Sequence, residues 1–272
     1  MYAGSAAYYV RGRVPYPTAL IDLLADELGL DGRCRLLDIG CGPGSLTLPL
    51  AARVEHAVGV DPDPGMLGEA RRGATAAGIR NVTWLNSRAE DVPAAVGPFR
   101  AATMAQSFHW MDRSRVAARL HQLVEPGGAL AHIHATTHQG IDGTTPLPHP
   151  RPPRREIDAL IGRYLGDRRR AGRGHRPMDE TTELDRQRAE AALFTAAGWS
   201  GPAHRVVPGR IVERGADDVV ASVFSLSYAA PHLFGHRLAA FEQELRGLLD
   251  RASPNGLFSE QLREIAVEIG HR

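Results

Sequence analysis

Leu36-Leu37-Asp38-Ile39-Gly40-Cys41-Gly42-Pro43-Gly44-Ser45-Leu46 decides the fold of this 272-residue chain. A short apolar run stops at three glycines, and Leu46, Leu48, Leu50 and Ala51 then resume at helical spacing. That order reads as strand, glycine turn, helix. A turn of this kind offers free backbone N–H groups and the positive end of a helix, which together suit an anionic group. Its glycines let the backbone touch a ligand. Working outward, a strand over Ala57–Val60 ends at Asp61, seventeen residues past Gly44. A carboxylate there can accept both hydroxyls of a ribose, so an adenosine-containing ligand is implied. Dinucleotide enzymes share the arrangement with a GxGxxG fingerprint, whereas the third glycine here falls one residue early, as GxGxG.

The same alternation continues on both sides. Leu20, Leu23, Leu24 and Leu28 predict a helix over 18–30, ended by Gly29. Helices are expected over 64–77 and 113–124, and strands over 82–85, 99–105 and 129–134. Strands joined by helical crossovers make a parallel sheet covered on both faces. Residues 135–153, rich in Thr, His, Gly and Pro, read as a functional loop or lid. Beyond it, helices are expected over 154–165, 183–197, 217–227 and 238–249, with a strand-like stretch over 203–212. Ile265, Val267 and Ile269 alternate as a strand able to close the sheet. The expected organisation is one domain overall: a core over 1–134, an inserted lid and helix over 135–195, and completion of the sheet and its cover over 196–272.

Composition narrows the chemistry. Hydrophobic residues make up 43% and charged residues 23%, the ordinary range of a folded chain. All 32 basic residues are Arg, nearly balanced by 31 acidic ones. Without Lys the chain can form no Schiff base and lacks the lysines of a P-loop and of a protein kinase. Cys34 and Cys41 are too few for a disulfide framework and do not form a CxxC pair. There is no signal-peptide pattern at the N-terminus and no membrane-length apolar run, so a cytoplasmic location is expected.

Several further segments, taken in order, resemble the class I S-adenosylmethionine-dependent methyltransferases. They are DIGCGPG, the strand end VGVDPDPGM, Ala89-Glu90, QSFHWMD at 106–112, and LVEPGG. The resemblance covers about residues 8–134. It implies a Rossmann-like, seven-stranded, mostly parallel sheet with helices on both faces, completed by an inserted and C-terminal helical cover. It also implies S-adenosylmethionine as cofactor and S-adenosylhomocysteine as product. Asp38 and the Gly40, Cys41, Gly42, Pro43, Gly44 backbone would hold the methionine part, and Asp61 the ribose. Pro62 and Met66 would flank the adenine, with Ala89 and Glu90 at its polar edge and Gln106 near the methyl group. Arg88 stands where many relatives carry an acidic adenine contact, which moves that role to Glu90. Tyr9-x-x-x-Arg13-x-x-Tyr16-Pro17 resembles the arm of the small-molecule branch that includes trans-aconitate methyltransferase-like proteins. There Tyr9 and Arg13 would close over the cofactor, Arg13 on its carboxylate.

Methyl transfer mainly needs alignment and exclusion of water. His109, just past the fourth strand, is the expected base for a hydroxyl or acidic carbon, and Phe108, His109 and Trp110 the expected acceptor contacts. His132, His134 and His138 lack a carboxylate or cysteine at ligand spacing, so no metal is expected. Residues 151–176 hold nine Arg against three acids. They read first as solvated helix faces, second as an acidic-substrate lid, and third as an RNA surface. Nucleic-acid methylases that act on exocyclic amines carry Asn/Asp-Pro-Pro-aromatic where this chain has Gln106-Ser107-Phe108-His109. The expected acceptor is a small metabolite or natural product, methylated on oxygen in preference to nitrogen or carbon; the alternatives are an RNA or protein methyltransferase that uses the Arg-rich segment, or a non-catalytic S-adenosylmethionine-binding protein. Neither a membrane nor a nucleic-acid partner is expected, and the chain can be a monomer or a homodimer.

Overall fold

The computed structural model describes residues 4–166, 170–171, 174–175 and 183–272. The chain forms two compact units, each assembled from separate stretches. One comprises residues 16–135, 177–207 and 265–272; the other comprises residues 1–15, 136–176 and 208–264.

The first unit is built on a seven-stranded sheet. Its strands are β1 (Arg35–Ile39), β2 (His56–Asp61), β3 (Val82–Asn86), β4 (Phe99–Ala105), β5 (Val124–His134), β6 (Ser200–Val207) and β7 (Ile265–His271), in the order β3-β2-β1-β4-β5-β7-β6. The first five run parallel, and β7 is antiparallel to both β5 and β6. Both faces are covered. Leu36, Ala101 and Ala131 point into one apolar layer, and Leu37, Ala102 and Leu130 into the other. Burial on both sides explains why these strands read as continuous apolar runs. The expected closing strand is present, with Val267 and Ile269 fully buried.

Two elements differ from the sequence reading. The stretch over 203–212 is interrupted at Pro208-Gly209, because Pro lacks the N–H a ladder needs. Ser200–Val207 pairs with β7, whereas Ile211–Gly215 pairs antiparallel with Leu257–Gln261, a strand the sequence did not suggest. The helix after the glycine turn is also short, Thr47–Ala51.

The second unit packs helices Arg154–Leu165, Ala216–Phe224 and Leu238–Ala252 around Phe224, Phe234, Phe241 and Phe258. Its 136–150 loop is fastened along Leu257–Gln261. Gly140 N–H donates to Glu260 Oε1 (2.9 Å), Ile141 N–H to Gln261 O (2.8 Å) and His149 N–H to Ser259 Oγ (3.2 Å). Of the Arg-rich segment, Arg168, Arg169, Arg173 and Arg176 lie outside the described residues.

Candidate active site

The carboxyl ends of β1, β2 and β4 bring together most of the residues singled out by sequence. β1 ends in a turn with left-handed backbone at Gly40 (φ 65°), Gly42 (φ 54°) and Gly44 (φ 82°), a region that favours glycine. A Cβ on Gly40 would lie 2.3 Å from Ser107 Cβ, and one on Gly44 would lie 2.9 Å from the Trp84 ring. A Cβ on Gly42 would meet nothing within 4 Å. The turn is thus packed beneath and open above Gly42.

Its N–H groups correct the expectation of a free anion cradle. Gly40 and Cys41 donate to Val60 O (2.8 and 3.0 Å), and Gly44 to Cys41 O (3.0 Å). Gly42 donates to Asp61 Oδ2 at 3.0 Å. The Gly40, Cys41 and Gly42 donors thus tie the end of β1 to β2, while Gly44 closes the turn on itself.

What the site does offer is negative charge. Asp38, 1% exposed, accepts Thr47 Oγ1–H (2.5 Å) and Thr103 Oγ1–H (2.9 Å). Burial pushes its carboxyl up to about 6 against those two bonds. Asp61 accepts the Gly42 and Asp63 N–H groups, the latter at 2.8 Å, and burial also raises its pKa. Among the described residues neither acid has an ion-pair partner, and each hydrogen bond they accept comes from a neutral donor. Neither threonine was legible in sequence, since Thr103 meets Asp38 through the β1–β4 register.

The other residues fall around this centre. Cys41 is buried among these acids, and burial holds its thiol well above the usual value, leaving it protonated. Pro43 is buried, Pro62 is exposed and Met66 is buried. Met66 lies at the start of the helix Pro64–Ala76, where Asp63 Oδ1 accepts the Gly65 and Met66 N–H groups (2.8 and 3.2 Å). Ala89 and Glu90 form a buried turn after β3. Burial pushes the Glu90 carboxyl up, but the Asp112 N–H (2.8 Å) and the Arg88 guanidinium (3.3 Å) outweigh it and lower its pKa. Glu90 therefore pins the segment after β4 to the turn after β3. Gln106, at the end of β4, has φ 56°, the sole left-handed non-glycine among the described residues. Such strain concentrates at functional positions.

The expected acceptor contacts divide. Phe108 is 1% exposed, stacked on Phe194 (centroids 5.2 Å), so it belongs to the core and does not line an acceptor pocket. His109 and Trp110 are accessible, with ring centroids 5.2 Å apart. The protein around His109 and the Arg113 cation lower its imidazole to about 4, so it is neutral near pH 7. Tyr9 and Arg13 belong to the second unit. There Arg13 donates to Ser225 Oγ (2.9 Å), approaches His138 Nδ1 (3.3 Å) and lies over the Tyr9 ring (4.5 Å). His138 belongs to the second unit, and His132 and His134 lie on β5 of the first.

Residues 36–128 match the family model described as a methyltransferase domain. These residues form a methyltransferase domain, whose cofactor is S-adenosylmethionine. An uncharacterized methyltransferase of Mycobacterium bovis is 30% identical over 162 residues, 60% of this chain and 59% of its own length. The chain thus spans less than two thirds of that relative. A 23S rRNA (uracil-C5) methyltransferase of Klebsiella pneumoniae is 41% identical over 64 residues, 24% of this chain and 15% of its own. The YcgJ protein of Bacillus subtilis has the same fold, with a TM-score of 0.52 at 18% identity over 94% of this chain and 99% of that one. The methyltransferase domain contains the glycine turn, both acids and His109. Its residues fit the cofactor: the cradle above Gly42 is open, and the paired acids favour a cationic ligand over a pyrophosphate.

Proposed function

We propose that this protein transfers the sulfonium methyl group of S-adenosylmethionine to a small-molecule acceptor, with oxygen the preferred acceptor atom. The observation that carries this reading is the pair Asp38, buried, and Asp61, half-buried, beside an open glycine turn without an arginine between them. A sulfonium nucleoside with an ammonium group supplies the positive charge this pair favours, and the methyl group it carries is already electrophilic.

The chain's own residues then bind and orient. Asp61 can exchange its Gly42 and Asp63 N–H bonds for ribose hydroxyls, and the Asp38 charge, held by Thr47 and Thr103, draws the cationic end inward. Pro62, Met66, Ala89 and Glu90 are assigned to the adenine, and Gln106 to the vicinity of the methyl group. His109 and Trp110 are assigned to the acceptor. A neutral His109 Nε2 or Nδ1 can take the hydroxyl proton, but an imidazole of lowered pKa is a weak base near pH 7, so alignment supplies most of the acceleration. The enzyme is assigned to the cell interior.

Among the described residues no helix is long and apolar enough to cross a membrane. The test is a tritiated-methyl transfer assay over small hydroxyl, amine and carbon-acid acceptors alongside RNA, at low and high salt. Labelling of a small hydroxyl compound is expected. Labelling of RNA alone, lost steeply with salt, would overturn the acceptor assignment and favour an RNA methyltransferase.

A further inference from the structure

His132 and His134 alternate on β5 and so share one face of the sheet, with ring centroids 4.1 Å apart. The helix Glu183–Ala196 sets Glu190 against them, a carboxylate that sequence spacing could not have joined to the pair. Glu190 Oε2 lies 3.6 Å from His132 Nδ1 and 3.8 Å from His134 Nε2, and the three atoms all lie within 4.8 Å of one another. These separations are too long for hydrogen bonds. They are slightly wider than the roughly 3.4 Å between neighbouring ligands of a tetrahedral ion with bonds near 2.1 Å. His132 Nδ1 is buried with no hydrogen-bond partner, and its side chain is 6% exposed. An orphaned buried ring nitrogen is costly unless something outside the chain satisfies it.

The surroundings hold the three groups in place. Phe194, one turn beyond Glu190, packs on both His132 (5.9 Å) and Phe108 (5.2 Å). Arg113 approaches the other oxygen, Glu190 Oε1, at 3.3 Å, as outer partners of ligating carboxylates do. His134, a quarter exposed, provides the way in.

We infer that His132, His134 and Glu190 form a binding site for a divalent transition-metal ion of the zinc class, with a coordination position left open. Two imidazoles and one carboxylate suit zinc and its neighbours better than the oxygen-only sites of magnesium or calcium. The inference does not rest on methyl transfer.

The test uses tag-free full-length protein stripped with a chelator and titrated with zinc by calorimetry. One ion per chain is expected. Glu190→Gln and His134→Ala should weaken uptake by at least roughly tenfold. His56→Ala, at a histidine on β2 hydrogen-bonded to Thr83 and separated from β5 by two strands, should leave it unchanged. Melting of each variant checks the fold. X-ray absorption of the zinc-loaded wild type gives a second reading, expected to show imidazole nitrogen in the shell. No stoichiometric uptake, equal affinity in all variants, or a shell of water alone would overturn the site.

Discussion

The acids at the carboxyl ends of β1 and β2 in the first unit and Glu260 in the second are held in opposite ways. In the second unit Glu260, 3% exposed, is gripped by Arg154 (2.9 Å) and Arg214 (3.3 Å). Burial alone would raise its carboxyl, but the Arg154 charge and hydrogen bond overcome this and lower it. In the first unit Asp38 and Asp61 receive only neutral donors, and both carboxyls are pushed up. A buried acid with its own cations is a structural fixture. A buried and a half-buried acid without one leave a site suited to a ligand that brings positive charge.

The largest effect expected from breaking this contrast lies in the fixture. Glu260→Gln would leave two arginines buried without their counter-charge. It should cost about 3 to 5 kcal/mol in urea unfolding with little change in cofactor affinity per folded molecule. Asp61→Ala should do the reverse, weakening S-adenosylmethionine binding in calorimetry by about 1.5 to 3 kcal/mol through lost charge-assisted bonds while melting stays near that of the wild type. The titration of Asp38 sharpens the comparison further. Its pKa rises from 3.8 unfolded to about 6 folded, so the folded state binds the proton more tightly. Its contribution to stability therefore falls as pH rises from 3.8 to about 6, and is constant above that. Cofactor affinity should climb over the same interval as the charge appears, and Asp38→Asn should flatten that climb. The smallest effect is expected at His109. His109→Ala should lower kcat more than it alters KM, by no more than about a hundredfold, because a base of such low pKa contributes little.

The fold was legible because the β-α alternation rests on local patterns: apolar runs buried on both faces and glycines where only glycine fits. Leu36 through Gly44 carried it. The second half was harder to read. Pro208 interrupts what looks like one strand, and Leu257–Gln261 pairs with a partner more than forty residues away, which no local pattern reveals. At the site, Asp38, Asp61 and the three glycines were readable because they lie at strand ends that the sequence marks. The N–H groups of the turn were misjudged, since their acceptors, Val60 O and the Asp61 carboxylate, sit on the next strand. Phe108 was misjudged as well. Its aromatic neighbours suggest a pocket wall, but Phe194, from a helix far along the chain, stacks over it and closes it into the core. Glu190 escaped for the same reason: helix and strand meet only in the folded sheet.

The central claim is tested most directly by calorimetric titration of S-adenosylmethionine, S-adenosylhomocysteine and NAD into the wild type and Asp61→Ala at neutral pH. Saturable binding of both sulfur nucleosides, at least roughly tenfold weaker in the variant and with no heat from NAD, is the predicted result. Heat from NAD alone, or identical affinities in the two proteins, would contradict the role given to the unpaired acids.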